Sequence, residues 1–349
     1  MIGTTTRSYY ADKLDDLRDV MGAASVSLEP DRVVVDGVIY PIVDDVIVLL
    51  DPSTYPESVR RRLGMVTTGS PDPPQFAEDI QRTFGAEWQQ YAEIRPEYQQ
   101  EFDEYFDIVD LASLDGKRVC DLGCGMGRWS RLLEGRCRQL ILVDFSDAIF
   151  VARRTLQDAP QALFFMADLT RLPFRAGFAD FLFCLGVLHH LPTSALDEVR
   201  RLRKYADRLL VYLYYALDNK PAYFRHALRL VTAVRERVCR IHSPWFREAF
   251  AWLGALGVYL PLVMLGRALG PLGLSRYVPL YSEHHWISVK GHRHHVYDRF
   301  FTRIEQRFTR EQIQSLQDSF SRVLISDNPG YWHFLCEVSS GDAFRTHDV

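Results

Sequence analysis

The stretch that decides the fold is residues 119–130, with the sequence VCDLGCGMGRWS. An apolar run of strand length ends in three alternate glycines, Gly123, Gly125 and Gly127, and a helical pattern starts directly after them. Glycine has no Cβ atom, so the backbone of such a turn can pass close to a ligand. The first amide groups of the following helix have no partner within the helix and can bind that ligand. This stretch therefore predicts a strand, a ligand-binding turn and a helix.

After this turn the chain alternates between apolar runs of strand length and helical segments. The runs have the sequences QLILVD (139–144), ALFFMA (162–167), DFLFCL (180–185) and RLLVYLYY (208–215). Near-continuous apolar strands that alternate with helices predict a parallel α/β sheet that is covered on both faces. After residue 309 the sequence predicts one more helix and two strands, and the Asn-Pro-Gly between those strands predicts an antiparallel hairpin.

An acidic residue lies at or near the carboxyl end of each of the first three strands. Open α/β sheets bind their ligands at this edge. A carboxylate at Asp121 can pair with an ammonium group, Asp144 suits ribose hydroxyls, and Asp168 suits an adenine amino group. The glycine spacing differs from the Gly-x-Gly-x-x-Gly of dinucleotide enzymes, which disfavours a nicotinamide-dependent oxidoreductase.

These motifs resemble those of the class I S-adenosylmethionine-dependent methyltransferases. VCDLGCGMGRWS, VDFS (143–146), ADLTRLPF (167–174) and FLFCLGVLHHLP (181–192) follow the order and spacing of four motifs of that family. The resemblance covers about 117–215 and 309–338. It implies a Rossmann-like α/β fold with a seven-stranded sheet, and S-adenosyl-L-methionine as cofactor. The residues it implies for cofactor binding are Asp121, Gly123, Gly125, Gly127, Asp144, Phe145, Asp168, Leu169, Leu185 and Gly186.

The resemblance also suggests how the chain is divided. The methyltransferase domain would comprise 115–215 and 309–349, with an inserted helical cap at 216–308. Before it lie a small N-terminal β unit (1–55), whose Pro-Asp, Asp-Gly and Asp-Asp pairs predict tight turns between two or three strands, and a linker with lead-in helices (56–114). The β unit resembles the zinc-ribbon-like activator domains of some methyltransferases, but it lacks their cysteines, so we expect no zinc site.

The lead-in region contains an aromatic helix. Phe84, Trp88 and Tyr91 are spaced so that they share one helical face, and packing onto a neighbouring element is the ordinary explanation. FGAEWQQY (84–91) also resembles a segment that covers the cofactor in bacterial relatives. By that resemblance Trp88 is a candidate cofactor contact.

The acceptor site is less well defined by the sequence. Transfer from a sulfonium needs an in-line nucleophile, and a base only if the acceptor is a hydroxyl or a carbon acid. His189 and His190 are the candidate catalytic residues, although a histidine pair here can also support the loop. The candidate acceptor-binding residues, from the end of the fifth strand and the cap, are Tyr214, Arg225, His285, His295, Tyr297 and Asp298. The histidine-rich stretch 284–295 fits no familiar metal-ligand spacing, so no metal is expected, and a solvated loop is the alternative.

Charge and hydropathy distinguish the cap from the rest of the chain. The net charge is −4, but residues 220–310 hold 15 Lys/Arg and 5 Asp/Glu, a net of +10, which leaves −14 elsewhere. Residues 249–266 are 18 uncharged, mostly apolar residues, close to the lower limit for a membrane span. A single crossing would put two parts of one sheet on opposite sides, and Pro261 with several glycines predicts a broken helix. A buried cap helix and a helix at a membrane interface or lining a lipid tunnel both remain open.

We therefore expect S-adenosylmethionine-dependent methyl transfer by direct displacement to a small, apolar or lipid-linked acceptor held under the cap. The alternative is a non-catalytic methyltransferase-like module that binds the cofactor and docks a partner or a membrane through the cap. An anionic membrane surface is a further candidate partner. Nucleic acid is not expected, because the Asn/Asp-Pro-Pro-Tyr type of motif is absent. Scattered cysteines and the lack of a signal-like apolar run indicate a cytoplasmic location. The basic residues beside the apolar run make a peripheral position at the inner face of the membrane a further candidate.

Overall fold

The computed structural model of the protein describes residues 8–65, 97–218, 220–328 and 332–339. The aromatic helix at 84–91, with its predicted cofactor contact Trp88, lies outside these residues. The strands of the described part are β1 (Val26–Glu29), β2 (Arg32–Val35), β3 (Val38–Val43), β4 (Val46–Val48), β5 (Arg118–Leu122), β6 (Gln139–Asp144), β7 (Ala162–Met166), β8 (Ala179–Leu185), β9 (Ala206–Leu213), β10 (Arg322–Ile325) and β11 (Trp332–Glu337).

The α-helices surround this sheet and build the cap. Those of the N-terminal part and the sheet are α1 (Leu14–Met21), α2 (Glu57–Arg62), α3 (Glu97–Tyr105), α4 (Arg128–Leu132), α5 (Ala148–Thr155) and α6 (Ala195–Leu202). The cap contains α7 (Ala222–Val238), α8 (Pro244–Gly254), α9 (Leu260–Leu269), α10 (Tyr281–His284) and α11 (Val289–Phe301), and α12 (Arg310–Gln314) follows it.

The strands form one mixed sheet in the order β1-β2-β3-β4-β7-β6-β5-β8-β9-β11-β10. The seven strands from β7 to β10 in this order are the predicted methyltransferase sheet. Strands β7, β6, β5, β8 and β9 are parallel, and β11 and β10 form the predicted antiparallel hairpin beside β9. Every residue of β5 and β7 is buried, as expected for strands covered on both faces. The predicted α/β fold is confirmed.

The N-terminal β unit extends this sheet. Its four strands include the predicted tight turns, where Asp36 with Gly37 and Asp44 with Asp45 have positive φ angles. Strand β4, which is buried throughout, pairs in parallel with β7. The sequence predicts two or three strands in this unit, whereas the structure contains four. These strands continue the methyltransferase sheet because an apolar strand needs a partner on its open edge.

Side chains near the N-terminus also bind the sheet. The hydroxyl of Tyr10 donates to the carbonyl oxygens of Asp45 at 2.7 Å and Phe164 at 3.2 Å. On α1, the carboxylate of Asp19 pairs with the guanidinium of Arg118, a buried residue of β5. The N-terminal part therefore shares the core of the methyltransferase sheet.

The chain leaves the sheet to form the cap and returns to the sheet at nearly the same point. Tyr215, two residues after β9, forms a parallel bridge with Phe308. The amide of Phe308 donates to the carbonyl of Tyr214 at 2.9 Å, and the amide of Ala216 donates to the carbonyl of Phe308 at 2.8 Å. Both ends of the cap are therefore held at the carboxyl end of β9.

The apolar segment of the cap is one helix of 29 residues, Pro244–Leu272, so the prediction of a broken helix was wrong. A π-helical turn at Ala255–Tyr259 lies directly before Pro261, where a proline has no amide for the regular hydrogen bond. By length and composition this helix could cross a membrane, and its most apolar 18 residues have a mean hydropathy of 1.8.

Two glycines of this helix allow close packing inside the cap. A Cβ atom at Gly254 would lie 2.7 Å from Cγ1 of Val296, and one at Gly266 would lie 2.0 Å from Cδ2 of Tyr281. At Gly257, in contrast, a Cβ atom would meet nothing within 4 Å. Gly254 and Gly266 therefore mark close contacts with α11 and α10, whereas Gly257 does not.

This difference predicts opposite effects of two substitutions. Gly266→Ala should destabilise the protein by about 1–3 kcal/mol, because the added methyl group overlaps the ring of Tyr281. Gly257→Ala should stabilise it by up to about 1 kcal/mol, because alanine favours a helix more than glycine does. The midpoint of thermal unfolding, followed by circular dichroism, measures both changes. Equal shifts for the two variants would contradict the close contact.

Candidate active site

A cavity of about 990 Å³ lies at the carboxyl ends of the parallel strands, between the sheet and the cap. Small-molecule sites usually enclose about 300–1,000 Å³, so this cavity is at the upper end of the range. Its wall includes the glycine turn after β5, the ends of β6 and β8, and residues of α3, α7, α8 and α11.

The glycine turn forms one side of the cavity, through Gly123 and Gly125. Gly123 has a φ of 78°, and a Cβ atom there would lie 2.5 Å from Cγ2 of Val187 in the loop after β8. Its amide donates to the carbonyl of Val143 at 2.7 Å, which ties the turn to β6. Only glycine fits this position without displacing the neighbouring loop.

Asp144 ends β6 and borders the cavity. Its Oδ2 accepts from the amide of Gly125 at 2.8 Å, while Oδ1 accepts from the amide and the hydroxyl of Ser146 at 2.8 and 2.7 Å. Burial raises the pKa of Asp144, and these hydrogen bonds act in the opposite direction. The carboxylate thus holds the glycine turn and lies at the position that the sequence predicts for a ribose contact.

The third strand end contributes a second carboxylate. Asp168 borders the cavity, and its Oδ1 accepts from the amide and the hydroxyl of Thr170 at 2.8 and 2.7 Å. The structure brings most of the other predicted cofactor residues to the same wall. These are Phe145, Leu169, Leu185 and Gly186.

Two predicted cofactor residues do not border the cavity. Asp121 is 2% exposed and lies beneath the turn, where its Oδ2 accepts from the hydroxyl of Ser130 at 2.7 Å. Burial raises the pKa of Asp121 to about 7, and the charge of Asp144 adds to this effect. Gly127 caps the N-terminus of α4 and packs on Leu156. Both residues therefore support the turn from outside the cavity wall.

The histidine pair is divided between cavity and core. His189 is fully buried outside the cavity wall, with its ring centroid 3.9 Å from that of Tyr214. His190 borders the cavity, and its Nδ1 lies 2.8 Å from the carbonyl oxygen of Ile304. Because a carbonyl oxygen only accepts, Nδ1 carries the proton in this contact, and Nε2 is the basic nitrogen of the neutral ring. Burial lowers the pKa of both imidazoles.

Three of the predicted acceptor residues meet beside His190. Tyr214 and Asp298 both border the cavity, and the Tyr214 hydroxyl donates to Oδ2 of Asp298 at 3.3 Å. His295, one turn earlier on α11, also borders it. This group forms a polar patch opposite the glycine turn.

The other three predicted acceptor residues lie elsewhere. Arg225 is exposed on α7, and His285 is exposed and stacks on Tyr281. Tyr297 is buried in the core of the cap, with Phe301 and Ala251. The position of each residue around its cap helix determines whether its side chain reaches the cavity, the cap core or the surface. The described residues contain no group of three or more His, Cys, Asp or Glu side chains that could hold a metal ion.

The sequence interpretation missed the contribution of α3. Glu101, Glu104 and Tyr105 border the cavity, at a helical spacing of three and one. Glu101 lies 3.7 Å from the guanidinium of Arg128, which follows the glycine turn and stacks 4.3 Å above the ring of Trp129. The spacing of these three residues was the signal that the sequence offered for a shared position at the cavity. This acidic helix has no motif, however, that would distinguish it from a solvent-exposed helix.

The cap side of the cavity is mainly apolar. Helix α7 contributes Leu228 and Val231, and α8 contributes Phe250. Further apolar residues of the wall are Phe224, Leu230, Val234, Val258, Leu262, Pro279, Leu280, Trp286, Ile287 and Phe300. The cavity therefore has a polar side at the strand ends and a mainly apolar side under the cap. The cap side also contains the ionisable residues His284, His294, His295, Asp298 and Arg299.

Comparisons with known proteins match the same part of the chain. Residues 120–211 match the family model of a methyltransferase domain. The chain is 32% identical over 129 residues to a tRNA (carboxymethyluridine(34)-5-O)-methyltransferase of Xenopus tropicalis, covering 34% of this chain and 19% of the relative. It is 31% identical over 104 residues to demethylmenaquinone methyltransferase of Clavibacter sepedonicus, covering 29% of this chain and 42% of the relative.

The chain thus spans less than half the length of each of these two curated relatives. Among solved structures, human N-acetylserotonin methyltransferase in complex with S-adenosylmethionine is 15% identical, with a TM-score of 0.44. That similarity covers 80% of this chain and 62% of the human chain.

The matched residues contain the glycine turn and the two strand-end carboxylates, Asp144 and Asp168, and they extend from β5 into β9. They occupy the centre of a sheet whose strand order is that of the predicted fold. Residues 120–211 therefore form the core of a class I methyltransferase domain.

Proposed function

We propose that this protein transfers a methyl group from S-adenosylmethionine to a small, apolar or lipid-linked acceptor held under the cap. One observation carries the proposal: a single cavity joins the glycine turn and two strand-end carboxylates to an apolar wall built by the cap. A cofactor site alone does not need such a wall.

The residues at the strand ends fit the cofactor. The backbone at Gly123 and Gly125 would lie along its methionine part, Asp144 would bind the ribose hydroxyls, and Asp168 with Leu169 would contact the adenine. Without a Cβ atom at Gly123, the turn can pack against Val187 of the loop after β8. When bound, S-adenosylmethionine supplies an electrophilic methyl group on a sulfonium.

The acceptor would occupy the space under the cap. The apolar side chains of α7 and α8 there favour an apolar molecule, since burying apolar surface contributes about 25 cal/mol per Å². Tyr214 and Asp298 would orient its polar end toward the strand ends. The tRNA relative supports RNA as a competing acceptor, whereas the demethylmenaquinone relative supports a small molecule. The apolar wall favours the small molecule.

His190 would act as the base for a hydroxyl or carbon-acid acceptor. For a hydroxyl acceptor, Nε2 of His190 would take the proton that the acceptor oxygen loses on methylation, and the electrons of the carbon–sulfur bond would remain with the departing sulfur. The contact with the Ile304 carbonyl keeps Nε2 unprotonated and fixes the ring. Holding the reactants in line contributes most of the rate, about 7–11 kcal/mol of the barrier.

A transfer assay tests the acceptor class. The protein is incubated with S-adenosylmethionine carrying a labelled methyl group, together with either a total lipid extract or total tRNA. We expect label in the lipid extract and none in tRNA, because the cap wall is apolar. Label in tRNA alone would overturn the small-molecule acceptor. Tight cofactor binding without label in any extract would favour the non-catalytic alternative.

Asp144→Ala should weaken S-adenosylmethionine binding by at least about tenfold. Hydrogen bonds to a charged group contribute about 1.5–3 kcal/mol each, and about 1.4 kcal/mol corresponds to a tenfold change. Isothermal titration calorimetry gives the Kd, and circular dichroism checks that the variant is folded. The control is Asp158→Ala, which removes an exposed carboxylate outside the cavity wall. A wild-type Kd for Asp144→Ala would contradict the ribose contact.

His190→Gln should lower kcat by roughly 100-fold or more, the usual contribution of a general base. Because burial lowers the pKa of His190 below its ordinary value of 6.5, the wild-type rate should fall only below pH 6.5, as the ring becomes protonated. This acid limb should disappear in the variant.

The exposed His285→Gln serves as the control and should keep the wild-type profile. If His190 instead only supports its loop, kcat and cofactor affinity should fall together in His190→Gln while the acid limb remains.

A further inference from the structure

We propose that the exposed face of the helix Pro244–Leu272 binds the surface of an anionic lipid bilayer, and that the acceptor enters the cavity from that bilayer. The proposal rests on the proposed function, because it names the source of the acceptor. It commits to a peripheral attachment: the strands on both sides of the cap belong to one sheet, so the helix cannot cross the membrane.

The helix has a narrow buried stripe and a broad exposed apolar surface. Every fourth residue along its first part faces the cap core, at Arg247, Ala251, Ala255 and Tyr259. Of the 18 most apolar consecutive residues of this helix, only 28% are buried, whereas the core helix of a soluble protein is mostly buried. The large exposed apolar side chains, with fractions of 36–79%, are Trp245, Trp252, Leu253, Leu256, Val258, Met264, Leu265 and Leu272. Contiguous apolar surfaces of this kind mark interaction sites.

The charge around this surface points to lipid. Exposed arginines lie beside exposed apolar residues along the chain, as in the pairs Arg240 with Ile241 and Arg276 with Tyr277. Residues 220–310 carry a net charge of +10 in a chain whose total is −4. Arg240 and Arg276 lie four residues before and four residues after this helix. Such exposed cations at the two ends of an apolar helix complement an anionic leaflet, where each cation near the surface raises affinity about fivefold. Trp245, the most exposed of these side chains at 79%, is of the type enriched at membrane interfaces.

The apolar surface is continuous with the cavity. Leu230, Val234 and Val258 are exposed, with fractions of 69%, 36% and 51%, and all three also border the cavity. An apolar acceptor could pass along these side chains from the bilayer to the cavity without exposing its apolar part to water. This continuity connects the membrane surface to the reaction.

Vesicle flotation with the full-length protein tests the surface. Wild type should float with vesicles of phosphatidylcholine and phosphatidylglycerol, bind weakly to phosphatidylcholine alone, and be released by salt. Leu253→Asp/Leu256→Asp should reduce binding at least tenfold, since both side chains are exposed and neither borders the cavity. Arg240→Ala/Arg276→Ala should weaken binding about 25-fold and remove part of the salt dependence.

The matched control is Val38→Asp/Ile39→Asp, which changes two side chains of similar exposure, 52% and 58%, in the N-terminal strands. It should bind vesicles like wild type. The proposal would be overturned if this control lost vesicle binding to the same extent, or if the wild-type protein did not bind anionic vesicles. The proposal would also be overturned if sedimentation velocity showed a wild-type dimer that the Leu253→Asp/Leu256→Asp substitutions dissociate. A second copy of the chain would then cover this face.

Calorimetry with S-adenosylmethionine separates this proposal from the proposed function. The surface variants should keep the wild-type Kd for the cofactor, which also shows that they are folded. Asp144→Ala, in turn, should still float with anionic vesicles. Loss of flotation with intact cofactor binding therefore concerns the cap surface alone.

Discussion

The bridge between Tyr215 and Phe308 is the interaction on which the rest of the site depends. It joins the two ends of the cap at the carboxyl end of β9, so the helices between them must lie over the strand ends. A second set of contacts reinforces it: the side chain of Gln306 donates to the carbonyl oxygens of Leu191 and Thr193 at 2.9 and 2.7 Å. The end of the cap is thereby tied to the loop that carries His190, and the cavity exists because these segments are held together.

The two sides of the cavity differ in the number of charged and polar groups that they contain. At the strand ends, carboxylates accept hydrogen bonds from backbone amides, as Asp144 does from Gly125. Toward the cap, the wall consists mainly of apolar side chains, with polar groups such as Asp298 and His295 among them, and burial lowers the pKa of His190 in the loop beside it. This arrangement suits a reaction between a charged donor and a mainly apolar acceptor that has one polar end.

Much of the fold could be predicted because its signals are local. The glycine turn, the apolar strands and the carboxylates at strand ends follow from residues close together in the sequence, and Gly123, Gly125, Asp144 and Asp168 all border the cavity. The pairing of β4 with β7 could not be predicted in this way, since more than a hundred residues separate them. In the cap no motif fixes the helix phases, and of the residues predicted there Asp298 and His295 border the cavity whereas Arg225 and His285 are exposed.

The N-terminal strands have a consequence for the solubility of the whole chain. Without them, β7 would end the sheet as an open edge of five buried residues, ALFFM, whose amides and carbonyls could pair with another molecule. Pairing with β4 fills that edge, and the meander then ends in β1, a strand of only four residues. A chain that began after β4 would therefore present an aggregation-prone edge, so the four N-terminal strands protect the sheet from edge-to-edge pairing.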